Sequence, residues 1–219
     1  MGGVYKITFE LDGRGVIYDP HEPIHLDGII AWAGAFRYPP GPPPGRTGPV
    51  EELNLPLRQV EINGTRIYKA SALSPEGDAI YIGRHFRKRF RIERAEFCTD
   101  AIINQSTGLY RRVNRRLEVV LCRKMVGWFD GTPKDIRKWL KALRAIGRKR
   151  EMGYGRIVSF KIEPSEEDRT WQWEGMATRY VPHPAGLKLV RPRPPYWNAT
   201  GRVKCLVPGE KIPDENPHD

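Results

Sequence analysis

Cysteine is scarce in this chain. Cys98, Cys122 and Cys205 are odd in number and show no C-x-x-C spacing, which argues against a disulfide framework and offers no zinc site. His21, His25, His85, His183 and His218 form no sequence pair, and no Asp/Glu cluster or metal-ligand spacing accompanies them, so nothing supports a metal-dependent DNA nuclease. Neither a metal nor a cofactor is expected. No apolar run is long enough to span a bilayer. The N-terminus enters a strand pattern almost at once with no secretory signal in front of it. A cytoplasmic protein is therefore expected, and the formal glycosylation sequons at Asn63, Asn104 and Asn198 carry little weight.

Acidic side chains are also in deficit. The 219 residues hold 37 Lys and Arg against 26 Asp and Glu, giving a formal charge of +11 and a pI near 9.7. Such a balance favours a nucleic-acid or acidic-surface partner. Its distribution says more: residues 84–124 carry 12 basic and 4 acidic side chains, and residues 131–156 carry 9 and 2. Together these stretches hold +15, so the remainder is net −4. Segregated charge of this kind attracts phosphates and releases their counterions.

The second basic stretch contains the most informative segment. Thr132 is a candidate N-cap, with Pro133 at the first helical position and Asp135 completing a short-armed capping box. Ile136, Trp139, Leu140, Leu143 and Ile146 form one apolar stripe, and Lys134, Arg137, Lys138, Lys141 and Arg144 occupy the other surface. Gly147 stands where a left-handed cap is expected, so the spacing predicts a helix from 133 to 146. Residues 147–156 then read Gly-Arg-Lys-Arg-Glu-Met-Gly-Tyr-Gly-Arg, and Val158, Phe160 and Ile162 begin a half-buried strand. Gly153 and Gly155 flank Tyr154, allowing backbone to approach a phosphate while the ring remains available for stacking. The same residues also suit an ordinary helix-to-strand turn with solvated charges.

Along the chain the pattern is α+β. Tyr5, Ile7, Phe9 and Leu11 alternate as a first strand ending at Asp12-Gly13. Leu26, Ile29, Ile30, Trp32, Ala33 and Phe36 suggest a buried helix over 24–36, followed by a Pro/Gly loop from 38 to 49. Asn63-Gly64 predicts a type I′ hairpin joining strands 57–62 and 65–72. Residues 87–97 and 116–125 read as the arms of a long basic hairpin, and short strands are expected near 176–181, 187–191 and 202–207. The element order is compatible with a ferredoxin-like βαββαβ core carrying insertions.

Two segments carry a resemblance. The run Leu140-Lys-Ala-Leu-Arg-Ala-Ile-Gly147-Arg-Lys-Arg-Glu-Met-Gly153-Tyr154-Gly155-Arg156-Ile157 resembles the glycine-rich loop of the CRISPR-associated RAMP superfamily of RNA-binding subunits. Leu26-Asp27-Gly28-Ile29-Ile30-Ala31-Trp32-Ala33 resembles the first-helix region of the Cas-five-like subunit of type IV CRISPR effectors. The order of elements follows over roughly the whole chain, but only these two motifs are specific. The resemblance implies a single RAMP-type domain over 1–207, with an RRM-like core, a basic thumb inserted at about 84–125 and a flexible tail over 208–219.

It further implies a non-catalytic subunit that grips the 5′ handle of the guide RNA and caps the backbone of a ribonucleoprotein used for RNA-guided DNA targeting. Its partners would be CRISPR guide RNA and the backbone and large subunits, with target DNA an open option and no membrane. Gly147, Gly153 and Gly155 would shape the loop, with Arg148, Lys149, Arg150 and Arg156 as phosphate contacts and Lys141, Arg144 and Tyr154 beside them. On the thumb the candidates are Arg84, Arg87, Lys88, Arg89, Arg111, Arg112 and Arg115. Phe86, Phe90 and Tyr110 would either stack on bases there or pack within the sheet. The competing class is a metal-independent endoribonuclease using a ribose 2′-hydroxyl, for which His25 and His85 are the two histidines to test, each of which also suits a capping or packing role. A stand-alone RNA-binding regulator is a third reading.

Overall fold

Strict alternation in the first strand sets the core. In the computed structural model, which describes residues 3–19, 21–37, 54–89, 104, 106–107 and 111–213, β1 spans Gly3–Leu11 and turns Ile7, Phe9 and Leu11 inward. There follow β2 (Val16–Ile17), α1 (Leu26–Arg37), β3 (Gln59–Ile62), β4 (Thr65–Tyr68), β5 (Ser74–Glu76), β6 (Ile80–Lys88) and β7 (Val113–Leu121). The chain continues through β8 (Lys124–Gly131), α2 (Pro133–Leu140), β9 (Ile157–Pro164), β10 (Gln172–Trp173), β11 (Met176–Ala177), β12 (Val181–Pro182), β13 (Lys188–Val190) and β14 (Val203–Leu206).

The main sheet has the order β5-β8-β1-β9. Every pairing in it is antiparallel, so β1 and β5 run one way and β8 and β9 the other. The register runs from Gly3↔Gly131 to Glu10↔Lys124 on one side of β1 and from Tyr5↔Pro164 to Leu11↔Ile157 on the other. One helix lies in each long connection, α1 between β1 and β5 and α2 between β8 and β9. Leu26, Ile29, Ile30 and Ala33 of α1 and Ile136 and Leu140 of α2 join Ile7, Phe9, Met125 and Phe129 in one core. The two helices meet closely, because a Cβ at Gly34 would stand 2.5 Å from the Trp139 ring.

Sequence reading and structure differ at three elements. The expected strand over 116–125 is two strands: the chain leaves β7 at Leu121 and enters the main sheet as β8, with Arg123 accepting from the Leu11 amide at the switch. The helix after Pro133 stops at Leu140, not at 146. Its continuation is drawn into a ladder with the start of β9, where Ala145 bridges Arg156 and the Ile157 amide donates to the Arg144 carbonyl. Leu143 and Ile146 remain buried, since a turn followed by an extended segment keeps them on the core side. Thr132 makes no side-chain cap, and its carbonyl instead accepts from the amides of Asp135 and Ile136. Finally, the basic hairpin begins earlier than expected, with β6 and β7 paired from Ile80↔Leu121 to Lys88↔Val113 and β2 added beside β7. Asn63 and Gly64 take positive φ, 48° and 69°, and close the hairpin of β3 and β4 as the dipeptide predicts.

A buried ionic knot ties the C-terminal segments to α1. Arg179 is 0% exposed; its Nη2 donates to Asp27 Oδ2 at 2.9 Å and its Nη1 to the Ala70 carbonyl at 2.9 Å. Tyr196 donates to Asp27 Oδ1 at 2.7 Å. Burial pushes the Asp27 carboxyl upward, opposed by Arg179 and by these hydrogen bonds. Removing one member leaves the other charge buried and unpaired. Arg179→Met is expected to cost about 3–5 kcal/mol of unfolding free energy in urea titration, and a loss below about 1 kcal/mol would contradict the knot's role.

Candidate nucleic-acid interface

The glycine-rich loop is held at both ends by backbone. The Gly155 amide donates to the Gly15 carbonyl at 2.8 Å, and the Gly155 carbonyl accepts from the Ile146 amide at 2.9 Å. Gly155 has a φ of +67°, and a Cβ there would lie 1.9 Å from the Ile146 carbonyl oxygen. Gly147, with φ of +82°, stands against Val16 and the Ile17 carbonyl. These two glycines are required by the fold itself, whereas a Cβ at Gly153 would make only an ordinary contact with Arg14 Nη1 at 3.8 Å, and glycine is favoured there by its φ of +86°. Arg148 bridges Ile17, so the loop abuts the sheet of β2, β7 and β6. Between Lys149 and Gly153, both left-handed, the chain makes one 3-10 turn over Arg150–Met152.

Three consecutive cations leave this loop toward three different partners. Arg148 pairs with the Glu22 carboxylate. Lys149 Nζ lies 4.5 Å from the centre of the Phe86 ring and 3.7 Å from Glu151 Oε1. The Arg150 guanidinium stacks 4.2 Å from the Trp32 ring. Cation–π contacts at surface sites are worth about 0.5–1 kcal/mol, and exposed ion pairs about as little, so all three are weak holds. Lys141, Arg144 and Arg156 are exposed around the loop and Tyr154 is half-buried.

The hairpin divides its charges between two faces. Residues directly opposite in an antiparallel pair share a face. The register therefore puts Arg84, Phe86, Lys88 and Arg115 together on the face that Lys149 approaches. His85, Arg87 and Arg116 belong to the other face, where Arg116 pairs with Glu118 at 3.0 Å. Arg89, Arg111 and Arg112 lie exposed near the far end of the described strands. Phe90 and Tyr110 fall outside the described residues, as does Cys98. Thus the two basic stretches, remote in sequence, meet at one surface.

The outer face of the main sheet has a different character. Lys6 pairs with Glu76 at 2.5 Å, Lys161 with Glu163 at 2.8 Å, and Ser159 donates to Glu10 at 2.7 Å. Trp128 is flanked by Lys6 and Arg169, at 5.7 and 5.0 Å from its ring centre. Sheets that read single-stranded RNA on their open face present stacking aromatics there. This one presents self-neutralised pairs.

His25 and His85, the two candidates of the endoribonuclease reading, occupy different environments. His85 is exposed on β6, while His25 is 5% exposed and held between Tyr196 and Tyr180, with ring centres 4.6 and 4.4 Å away. Neither His25 nitrogen has a hydrogen-bond partner among the described residues. Burial, with Arg179 and Lys188 nearby, holds its pKa well below the ordinary value. Among the described residues no group of His, Cys, Asp or Glu is arranged to hold a metal, and no helix is long and apolar enough to cross a membrane. Cys122 and Cys205 are buried free thiols.

Sequence reasoning missed Glu22 and the role of Trp32, which it assigned to the buried side of α1. Trp32 is 40% exposed, and the signal that could have placed it was its position off the stripe of Leu26, Ile29, Ile30 and Ala33. The model of one protein family, CRISPR type IV associated protein Csf3, matches residues 4–208. No curated protein matches the chain.

Gly155→Ala puts a methyl group into backbone at a positive φ and is expected to cost more than about 2 kcal/mol in urea denaturation; an unchanged midpoint would remove the loop's anchoring role. The buried histidine carries a pH dependence. The unfolded chain protonates His25 near pH 6.5 while the folded chain resists, so stability present above that pH is lost as pH falls. Wild-type melting temperature should drop below about pH 6.5 more steeply than that of His25→Phe. Parallel pH profiles would show that His25 does not titrate on unfolding.

Proposed function

This chain belongs to the Csf3 family of CRISPR type IV associated proteins, and from that premise we propose that it is a non-catalytic, RNA-gripping subunit of the type IV ribonucleoprotein. Membership of a type IV system implies RNA and protein partners in general terms. The finer reading is that the chain is the Cas-five-like subunit, holds the 5′ handle of the guide RNA and caps the backbone of the complex. The observation that carries it is the contact of Lys149 from the loop with Phe86, on the hairpin face that also holds Arg84, Lys88 and Arg115.

Supporting this reading, the strand order β5-β8-β1-β9 with one helix in each long connection is what a ferredoxin-like βαββαβ core requires. The β6–β7 hairpin then corresponds to the inserted thumb. Each cation that leaves its weak internal hold for a phosphate releases counterions, so affinity should fall steeply with salt. Sequence choice on target DNA would rest with the guide RNA by base pairing. The enclosure of His25 between two tyrosines supports a role in packing rather than in proton transfer.

The test incubates the protein with labelled CRISPR repeat RNA in chelator and reads binding by gel shift and RNA integrity on a denaturing gel. Binding of intact RNA is expected, and Arg148, Lys149 and Arg150 replaced together by Ala should flatten the log-log salt slope by about 0.7 for each phosphate no longer neutralised. Glu22→Gln frees Arg148 from its carboxylate and should tighten binding by up to about fivefold. An unchanged slope in the triple variant would overturn the loop assignment. Site-specific cleavage abolished by His85→Ala would make the protein a processing enzyme instead.

A further inference from the structure

Lys149 and Arg150 are neighbours in sequence, yet each covers an aromatic ring from a different element. Phe86 comes from β6 of the hairpin and Trp32 from α1, so the loop lies between two ring surfaces with a cation on each. On the main-sheet face Trp128 is clasped by two cations, Lys6 and Arg169, which are themselves ion-paired with Glu76 and Glu167. A ring that holds a cation by its face is equally shaped to stack on a nucleobase. Base–aromatic stacking is also the stronger contact at a surface site.

We infer that Trp32 and Phe86 form a two-ring nucleobase cradle in which Lys149 and Arg150 are place-holders, exchanged for bases when single-stranded RNA binds. The inference rests on the RNA-binding reading above and adds what that reading does not contain: Trp32 as a second stacking ring beside Phe86, and a rearrangement on binding. No covalent step is involved. In the free protein the cations cover the rings; in the bound form they turn to the phosphates on either side, and two bases take their places. Trp32 suits this because it is on the rim of α1, 40% exposed, with the core contacts made by Ile29, Ile30 and Ala33. Phe86 suits it because its pair partner across the hairpin is Arg115, which offers a phosphate contact beside the stacked base. Recognition of this kind tolerates any base sequence but requires that bases be present.

The experiment compares oligouridylate of about 12 nucleotides with an abasic oligoribonucleotide of equal length and charge, using the full chain at two salt concentrations. The wild type should bind the base-containing strand about tenfold tighter. Trp32→Ala and Phe86→Ala should each reduce that preference while leaving the salt slope unchanged; Arg150→Ala should keep the preference and lower the slope. Trp32→Phe, which preserves a ring, should retain most of the preference and serves as the control if the alanine variant unfolds. Equal affinity of the wild type for the two strands, or a preference that survives both aromatic substitutions, would overturn the cradle while leaving RNA binding intact. Failure to bind either strand would instead refute the RNA-binding reading on which it rests.

Discussion

At Gly155 three backbone segments meet. Its amide reaches Gly15 in the turn after β1, its carbonyl receives the Ile146 amide, and no side chain could stand between them. This crossing ends the helical run early, because residues 144–146 are needed as partners for 155–157. It also sets the ends of the loop, so Arg148, Lys149 and Arg150 emerge from a fixed base rather than from a free excursion. Without it the two cationic stretches would have no defined relation to each other. The left-handed Lys149 adds a local constraint, turning consecutive side chains toward Phe86 on one side and Trp32 on the other.

Charge is managed differently on the two sides of the molecule. On the outer sheet face Lys6 and Lys161 are paired with Glu76 and Glu163, so these charges are offset within the face. At the loop and hairpin, cations outnumber carboxylates, and the holds on them are weak enough to be exchanged. Buried charge follows a third rule. Arg179 is surrounded by the carbonyls of Tyr68, Ala70, Tyr180 and Pro192, the Tyr196 hydroxyl and the carboxylate of Asp27, and serves architecture by joining α1 to the C-terminal segments. The same residue type therefore has opposite uses, decided by how completely its partners replace water.

Elements governed by local chemistry were legible in the sequence. The alternation of Tyr5 to Leu11 and the Asn63-Gly64 turn depend on near neighbours, and the basic hairpin announced itself by charge. Elements governed by distant partners were not. β8 is central in the sheet, yet Gly127 interrupts its apolar alternation because Leu73 lies where a Cβ would be, 2.8 Å away. The end of α2 depends on a ladder with residues 155–157, which no helical periodicity encodes. At the candidate site, the charges could be counted in advance, but Glu22 is 126 residues from Arg148, and Trp32 and Phe86 come from separate elements. What a cation pairs with is a tertiary fact.

The most direct measurement is photo-crosslinking of the protein to CRISPR repeat RNA followed by mass spectrometric mapping of the linked residues. The account predicts crosslinks in both basic stretches together, within residues 84–89 and 111–116 of the hairpin and 144–156 of the loop. Crosslinks confined to the outer sheet face, at Lys6, Trp128 or Lys161, would contradict it.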